Sequence, residues 1–329
     1  MSATNTKIPL WRKIQRNNFT NAQNLSDFLM LDKQQASRIT TRRNFPLNLP
    51  LRLAEKIEKG NLEDPILKQF IPTIEEELEI KGYTSDPVGD LQSKIDNKLL
   101  HKYHGRALLV CTSACAMHCR YCFRQNFPYE KSTETPFDSE IQLLKEDSSI
   151  SEVLLSGGDP LSLSNSVLSS LITRLSEIPH LQRLRFHTRF PIGIPERIDE
   201  ELIEILSRTS LQIVFVIHCN HPRELDFDNL AALNKIQKLG IPILNQSVLL
   251  KDVNNCVNTL RSLCEKLIDN GIIPYYLHQL DRVKGAAHFE VPETEGLKLI
   301  RELQKVLPGY AVPKYVREIP GESNKTPLI

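Results

Sequence analysis

Residues 108–127 read LLVCTSACAMHCRYCFRQNF, with four cysteines inside twelve positions. Three of them, Cys115, Cys119 and Cys122, follow the spacing C-x3-C-x2-C. Cys111 lies in the apolar run ahead of them, at the wrong offset, and reads as a small core residue. A closed zinc site takes four protein ligands. His118 could serve as the fourth, but the two ligand pairs of a zinc ribbon or finger are missing. A [4Fe–4S] cube takes one ligand per iron, so three thiolates leave one iron open to a substrate or cofactor. Iron accounts for three cysteines without a fourth; zinc with His118 stays open as the alternative. Phe123 follows the last cysteine, where an apolar ring shields a cluster.

The stretch sits at the end of an apolar run, and that run opens a repeating pattern. Strands are predicted at ALLVCT, EVLLSG, RLRFHT, IVFVIHC, PILNQSV and PYYLHQ, with helices between them at SVLSSLITRLSEI, RIDEELIEILSR, LAALNKIQKLG and CVNTLRSLCEKLIDNG. Gly240 and Gly271 fall where two of these helices stop. Strand–helix alternation predicts parallel strands with crossover helices, here an α/β fold with six units, as a partial (β/α)6 barrel or an open doubly wound sheet. The polar residues gather just past each strand: the cysteines, then SGGDP, HTRFP, HCNHP, NQS and HQLD. In parallel α/β folds that rim carries the active site.

Upstream, NLSDFLML and PLRLAEKIEKG read as amphipathic helices, the second closed by Gly60, and YTSDPVGD reads as a loop. The expected units are a mostly helical region over residues 1–95, the barrel over 96–290, and a C-terminal segment over 291–329. Across 329 residues, 41 Lys and Arg balance 40 Asp and Glu, and no basic run asks for nucleic acid or a membrane surface. The first residues lack the apolar stretch of a signal peptide, and LQIVFVI is too short to span a bilayer. Seven cysteines, an odd number, argue against a disulfide framework and for a reducing, cytoplasmic setting. Cys219, Cys256 and Cys264 read as structural.

The cysteine spacing resembles the signature of radical S-adenosylmethionine enzymes. Further motifs narrow it: HKYHGRALLVCTSACAMHCRYCFR, LLSGGDPL, FHTRFPIGIPERI, NHPREL, NQSVLLKDVN, HQLDRVKGAAHF and PGESNKTPL, in that order, resemble the lysine 2,3-aminomutase family. The likeness is greatest to its short branch, which makes β-lysine for elongation factor P and lacks a cysteine-bearing C-terminal extension.

The resemblance implies a barrel of radical S-adenosylmethionine type and three cofactors: a [4Fe–4S] cluster on Cys115, Cys119 and Cys122, S-adenosylmethionine, and pyridoxal 5′-phosphate. It implies S-adenosylmethionine contacts at Gly157, Gly158, Asp159, His218 and Gln246. Pyridoxal phosphate is expected on Lys325, in PGESNK, with its phosphate near Lys102, Tyr103 and Arg106. Lys102 stands where the family has an arginine, and PGESNK has one glycine where the family has four. Arg124 matches the clamp for the substrate carboxylate, whose planar fork suits it. Asp281 and Glu318 match the pair of acids that meets the distal ammonium of free L-lysine, Glu318 being one methylene longer than the family's aspartate. The product is expected to go to a ligase acting on elongation factor P. A radical aminomutase for another amino acid and a zinc-binding interaction protein are the alternatives.

Overall fold

Nine strands form one sheet, in the order in which they occur along the chain. The computed structural model describes residues 8–41, 44–129 and 136–329; the remaining residues of the expected N-terminal and barrel units lie outside that description. The N-terminal region carries helices α1 (Leu10–Gln15), α2 (Ala22–Leu29), α3 (Lys33–Ala36) and α4 (Leu51–Glu55). The strands are β1 (Leu99–Tyr103), β2 (Arg106–Val110), β3 (Glu152–Ser156), β4 (Arg183–Thr188), β5 (Gln212–His218), β6 (Ile243–Val248), β7 (Ile273–His278), β8 (Lys314–Arg317) and β9 (Thr326–Pro327). Between them run α5 (Asp138–Glu146), α6 (Asn165–Ser176), α7 (Phe190–Gly193), α8 (Glu200–Arg208), α9 (Phe227–Gln237), α10 (Val257–Ile268) and α11 (Glu293–Val306).

Strands β2 to β8 are parallel, and the outermost pairs, β1 with β2 and β8 with β9, are antiparallel. Among the described residues β1 and β9 are the two edges, so the barrel is partial. The six strands expected from the sequence are β2 to β7. Strands β1, β8 and β9 extend the sheet on both sides; β8 and β9 are short, and β1, LLHKY, turns polar after its first two residues. The crossover helices start on capping side chains, with Ser164, Asp199 and Asp226 accepting from the first turns of α6, α8 and α9. No described helix is long and apolar enough to cross a membrane.

The N-terminal region is less helical than its pattern suggests. The helix expected over PLRLAEKIEKG stops at Glu55: the amides of Lys56 and Ile57 tighten onto the Leu53 and Ala54 carbonyls, and the Glu58 amide is taken by the Asp64 carboxylate at 3.1 Å. Short 3-10 turns and loops follow. This region is not a separate layer: Trp11, Leu25, Leu49 and Leu53 belong to the same apolar core as Leu184 and Phe186, and the Trp11 ring meets Phe190 edge-on at 5.4 Å.

Each strand divides its residues between two faces. Leu155, Phe186, Phe215 and Ile217 point to the helices and are fully buried. The alternate positions, among them Arg106, Arg185, His187, His218, Gln246 and His278, line the inside. A filled (β/α)8 barrel has bulky apolar side chains there; this one has imidazoles and cations around a cavity of ≈ 750 Å³.

Candidate active site

The cavity has a cysteine end and a lysine end. Cys115, Cys119 and Cys122 line the first, on the loop after β2. That loop lies in a cradle from the N-terminal region. Gln15 and Asn48 amides donate to the Cys115 carbonyl at 3.2 Å, and Asn18 donates to that of Ala116 at 2.8 Å. Arg120, fully buried, forks onto Glu76 at 2.7 and 2.6 Å and reaches the Phe45 carbonyl at 2.8 Å. His118 joins the same cradle: its Nδ1 donates to the Pro46 carbonyl at 2.8 Å and its ring stacks on Phe45.

Burial, and then the neighbouring thiols, pushes the Cys122 thiol up to about 12, and Cys115 is raised by burial as well. Three thiolates can gather here only around strong positive charge, which iron supplies. Arg189, the arginine of HTRFP, adds a fixed cation. Its Nη1 lies 2.8 Å from the Cys119 sulfur, and Nη2 holds Glu224 at 2.7 Å and Gln69 at 2.8 Å.

SGGDP braces this loop from below. Gly157 has φ +121°, and a Cβ there would lie 2.8 Å from the Thr112 carbonyl oxygen; one on Gly158 would lie 2.3 Å from that of Ala114. The amides of Gly158 and Asp159 donate to those carbonyls at 2.6 and 2.8 Å. The Asp159 carboxylate accepts from the Thr188 hydroxyl and from the amides of Leu161, Arg189 and Phe190. Its oxygens are therefore hydrogen-bonded within the protein, and Gly157, Gly158 and Asp159 all line the cavity. His218 and Gln246 lie directly opposite each other across β5 and β6. Burial, and then Arg189, lowers His218 to about 3, so its imidazole is neutral.

At the other end stand Lys325, Glu318, Asp281, Lys102, Tyr103 and Arg124. The β8–β9 register pairs Val316 with Pro327 and Arg317 with Thr326, and the next step outward sets Glu318 opposite Lys325. Their side chains meet at 2.5 Å. Glu318 also accepts from the Tyr103 hydroxyl at 2.5 Å and from Lys102 at 3.3 Å. Burial pushes the Glu318 carboxyl up, but Lys325 and Lys102 together hold it below its ordinary value. Glu318 is no partner of Arg317, which pairs with Glu293 at 2.8 Å. Asp281 has no ion-pair partner among the described residues, and burial pushes its carboxyl up to about 7. Arg124 is buried, with Nε on Asp90 at 2.7 Å and Nη1 on the Ser156 hydroxyl at 2.9 Å.

Two members of the site are not apparent in the sequence. Asp90 ends a stretch that reads as a plain loop, and nothing local marks it. Arg189 stands in a rim motif, and that rim position is its signal.

Residues 104–187 match the family described as a 4Fe-4S single cluster domain. The L-lysine 2,3-aminomutase of Escherichia coli (strain K12) is 44% identical over 286 residues, which is 86% of this chain and 83% of the relative. That of Haemophilus influenzae is 41% identical over 96% of this chain and 94% of the relative. The chain belongs to the lysine 2,3-aminomutase family. It is thus an isomerase by family, and its cysteine-bearing segment is that of a [4Fe–4S] cluster domain. The aminomutase of Clostridium subterminale, at 32% identity, aligns over 97% of this chain and 77% of its own length. Among solved structures, a radical SAM methyltransferase from Sphaerobacter thermophilus has a TM-score of 0.46 and 16% identity, covering 66% of this chain and 68% of that one; so distant a likeness carries no functional weight.

Proposed function

We propose that this aminomutase carries pyridoxal phosphate on Lys325 and converts free L-lysine to β-lysine. The observation that supports this most is that one cavity holds the three cysteines, Lys325, Arg124 and Asp281. The donor sets suit the groups: three clustered thiols for a cube with one open iron, and a cavity lysine flanked by Lys102, Tyr103 and Arg106 for an aldehyde bearing a phosphate. When bound, the cluster and S-adenosylmethionine supply a carbon radical that takes a hydrogen from C3 of lysine, and pyridoxal phosphate supplies the carbonyl that carries the migrating nitrogen.

The chain's own residues bind and orient. The backbone at Gly157 and Gly158, with His218 and Gln246, is assigned to S-adenosylmethionine, while Asp159 holds that backbone in shape. Lys102 offers the cofactor phosphate a point charge and Arg106 a fork. Arg124 is fixed by Asp90 and Ser156 through Nε and Nη1, which leaves Nη2 for the substrate carboxylate. Asp281, unpaired, takes the distal ammonium, and Glu318 assists. An acid at that end rejects a substrate such as glutamate, whose side chain ends in a negative charge.

On this reading residues 1–95 brace the cluster loop, 96–290 form the barrel, and 291–329 bring the cofactor lysine. The product is assigned to a ligase that modifies elongation factor P, as the resemblance of the motifs to the family's short branch implies. Seven free cysteines suit the cytoplasm. Anaerobic incubation with L-lysine, S-adenosylmethionine, pyridoxal phosphate and dithionite, followed by chromatography, tests the reaction. β-Lysine is the expected product; equal turnover of glutamate or alanine overturns the substrate assignment.

A further inference from the structure

Five charged side chains run along the cavity wall with alternating sign: Arg124, Asp90, Lys102, Glu318 and Lys325. Asp90 joins the first three, with Arg124 Nε at 2.7 Å and Lys102 Nζ at 2.8 Å on its two oxygens. Glu318 joins the rest, with Lys102 at 3.3 Å and Lys325 at 2.5 Å. The two ends of the line are the groups assigned above to the substrate carboxylate and to the cofactor aldehyde.

An ammonium has three donors. Those of Lys102 are all taken, by Asp90, by Glu318 and by the Val88 carbonyl at 2.7 Å. Lys102 cannot turn to a phosphate and keep all three, and the Glu318 contact is the longest. Glu318 is the more crowded group: its side chain is 8% exposed, and Lys102, Tyr103 and Lys325 all converge on it. Beside it, Asp281 feels both Lys325 and Glu318 yet has no ion-pair partner among the described residues.

We propose that Glu318 couples cofactor loading to recognition of the substrate's distal ammonium. This rests on the reading of Lys325 as the pyridoxal phosphate lysine. Before loading, Lys102 and Lys325 neutralise Glu318. When the cofactor's aldehyde carbon bonds to the Lys325 nitrogen, a C=N bond forms, water leaves and the ammonium proton goes to solvent. The phosphate draws Lys102 away at the same time. Glu318 is left with Tyr103 alone, a buried carboxylate beside a second one, and such a pair needs a cation. The ammonium of lysine supplies it. The loaded site therefore recognises lysine, and the empty site does not. Asp90 keeps Arg124 in position throughout, so one end of the line stays fixed while the other exchanges partners.

Glu318→Gln keeps the shape and removes the charge. Two ligands are expected to move in opposite directions. The Kd of pyridoxal phosphate, read by absorbance titration of cofactor-free protein, falls about three- to tenfold, because Lys102 and Lys325 are no longer held back. The KM for lysine of the reconstituted enzyme rises at least about tenfold, because the ammonium has lost a partner. Glu318→Asp, too short to hold Lys102, also tightens pyridoxal phosphate but leaves the lysine KM nearer to wild type. Iron content and melting temperature are measured on the same preparations. Weakening of both ligands together means a structural role and overturns the proposal, as does an unchanged pyridoxal phosphate affinity in both variants. If borohydride fixes no pyridoxal phosphate on Lys325 of the wild type, the function proposed above fails and this inference falls with it; labelling at Lys325 with unmoved affinities defeats the inference alone.

Discussion

At the cysteine end of the cavity, side chains from far away in sequence tie down the loop: Gln15, Asn18 and Asn48 on its carbonyls, and Arg120 on Glu76. At the lysine end, Lys325 precedes a strand of only two residues, Asp281 is unpaired, and Glu318 is shared among three donors. One end is fixed by neutral hydrogen bonds and a buried fork; the other is held by charges that can change partners. On the function proposed above, a cluster must keep its geometry through every turnover, whereas a cofactor lysine must let go and return. The contrast follows from those two duties.

The comparison breaks most sharply where each end loses its anchor. Replacing Cys115, Cys119 or Cys122 by Ala is expected to remove the cluster and all activity, while Cys256→Ala, at an exposed position, leaves iron at about four per chain. Iron and sulfide analysis after anaerobic purification reads this; stoichiometric zinc in place of iron defeats the assignment. Lys325→Ala is the counterpart: the borohydride-fixed pyridoxal adduct is expected to vanish, by peptide mapping, with iron unchanged. Loss of iron in that variant means that the two ends are not independent.

A smaller effect is expected at Asp281. Asp281→Asn leaves the substrate ammonium without its main partner and lowers kcat/KM for lysine about 100-fold or more, with both cofactors retained. The pH dependence has a definite sign. Burial raises the Asp281 carboxyl to about 7, so below that pH a proton competes with the ammonium of lysine. The KM for lysine is expected to rise as pH falls below about 7, by up to about tenfold per unit, and to lose that dependence in Asp281→Asn. The same group favours the ligand-free fold when protonated, and that contribution is lost as pH rises through about 7. Melting curves with and without lysine across pH 5–8 follow it. A flat KM profile in the wild type contradicts the assignment.

The smallest effect is expected in the cradle. Asn18→Ala removes the hydrogen bonds to the Ala116 carbonyl and to the Asn48 amide oxygen, each worth about 1 kcal/mol, or a few degrees in melting temperature together. Its sharper readout is a faster loss of iron to a chelator at unchanged pyridoxal phosphate affinity. Equal changes at both ends erase the distinction drawn here.

The sequence and the structure agree where periodicity or spacing carries the information. The six strands from Ala107 to Gln279 are legible from apolar β-branched runs, and the cysteine spacing alone picks out three thiols that line one cavity. Asp90 is not legible, because its partners Lys102 and Arg124 are distant in sequence and only the fold joins them. Asp159 reads as a cofactor contact, and the sequence gives no sign of the four donors that its carboxylate takes from its own turn and from the end of β4. The helix over PLRLAEKIEKG is overstated by its pattern, since a local period says nothing about the Asp64 carboxylate that takes the Glu58 amide.

The hairpin of β8 and β9 is also a length gauge. Residues 318–325 connect the two strands, and of these Gly321 alone has a left-handed backbone, with φ +87°. One glycine is therefore enough for the turn, although the family commonly has four. What the turn must conserve is its count. Strands alternate their side chains between faces, so a deletion within 319–324 that preserved the Val316–Pro327 pairing would have to keep Lys325 where it is and tighten the loop. If the pairing slipped by one instead, Lys325 would turn its amine to the back of the sheet, out of reach of Glu318. Between Glu318 and Lys325, the number of residues sets where the lysine stands.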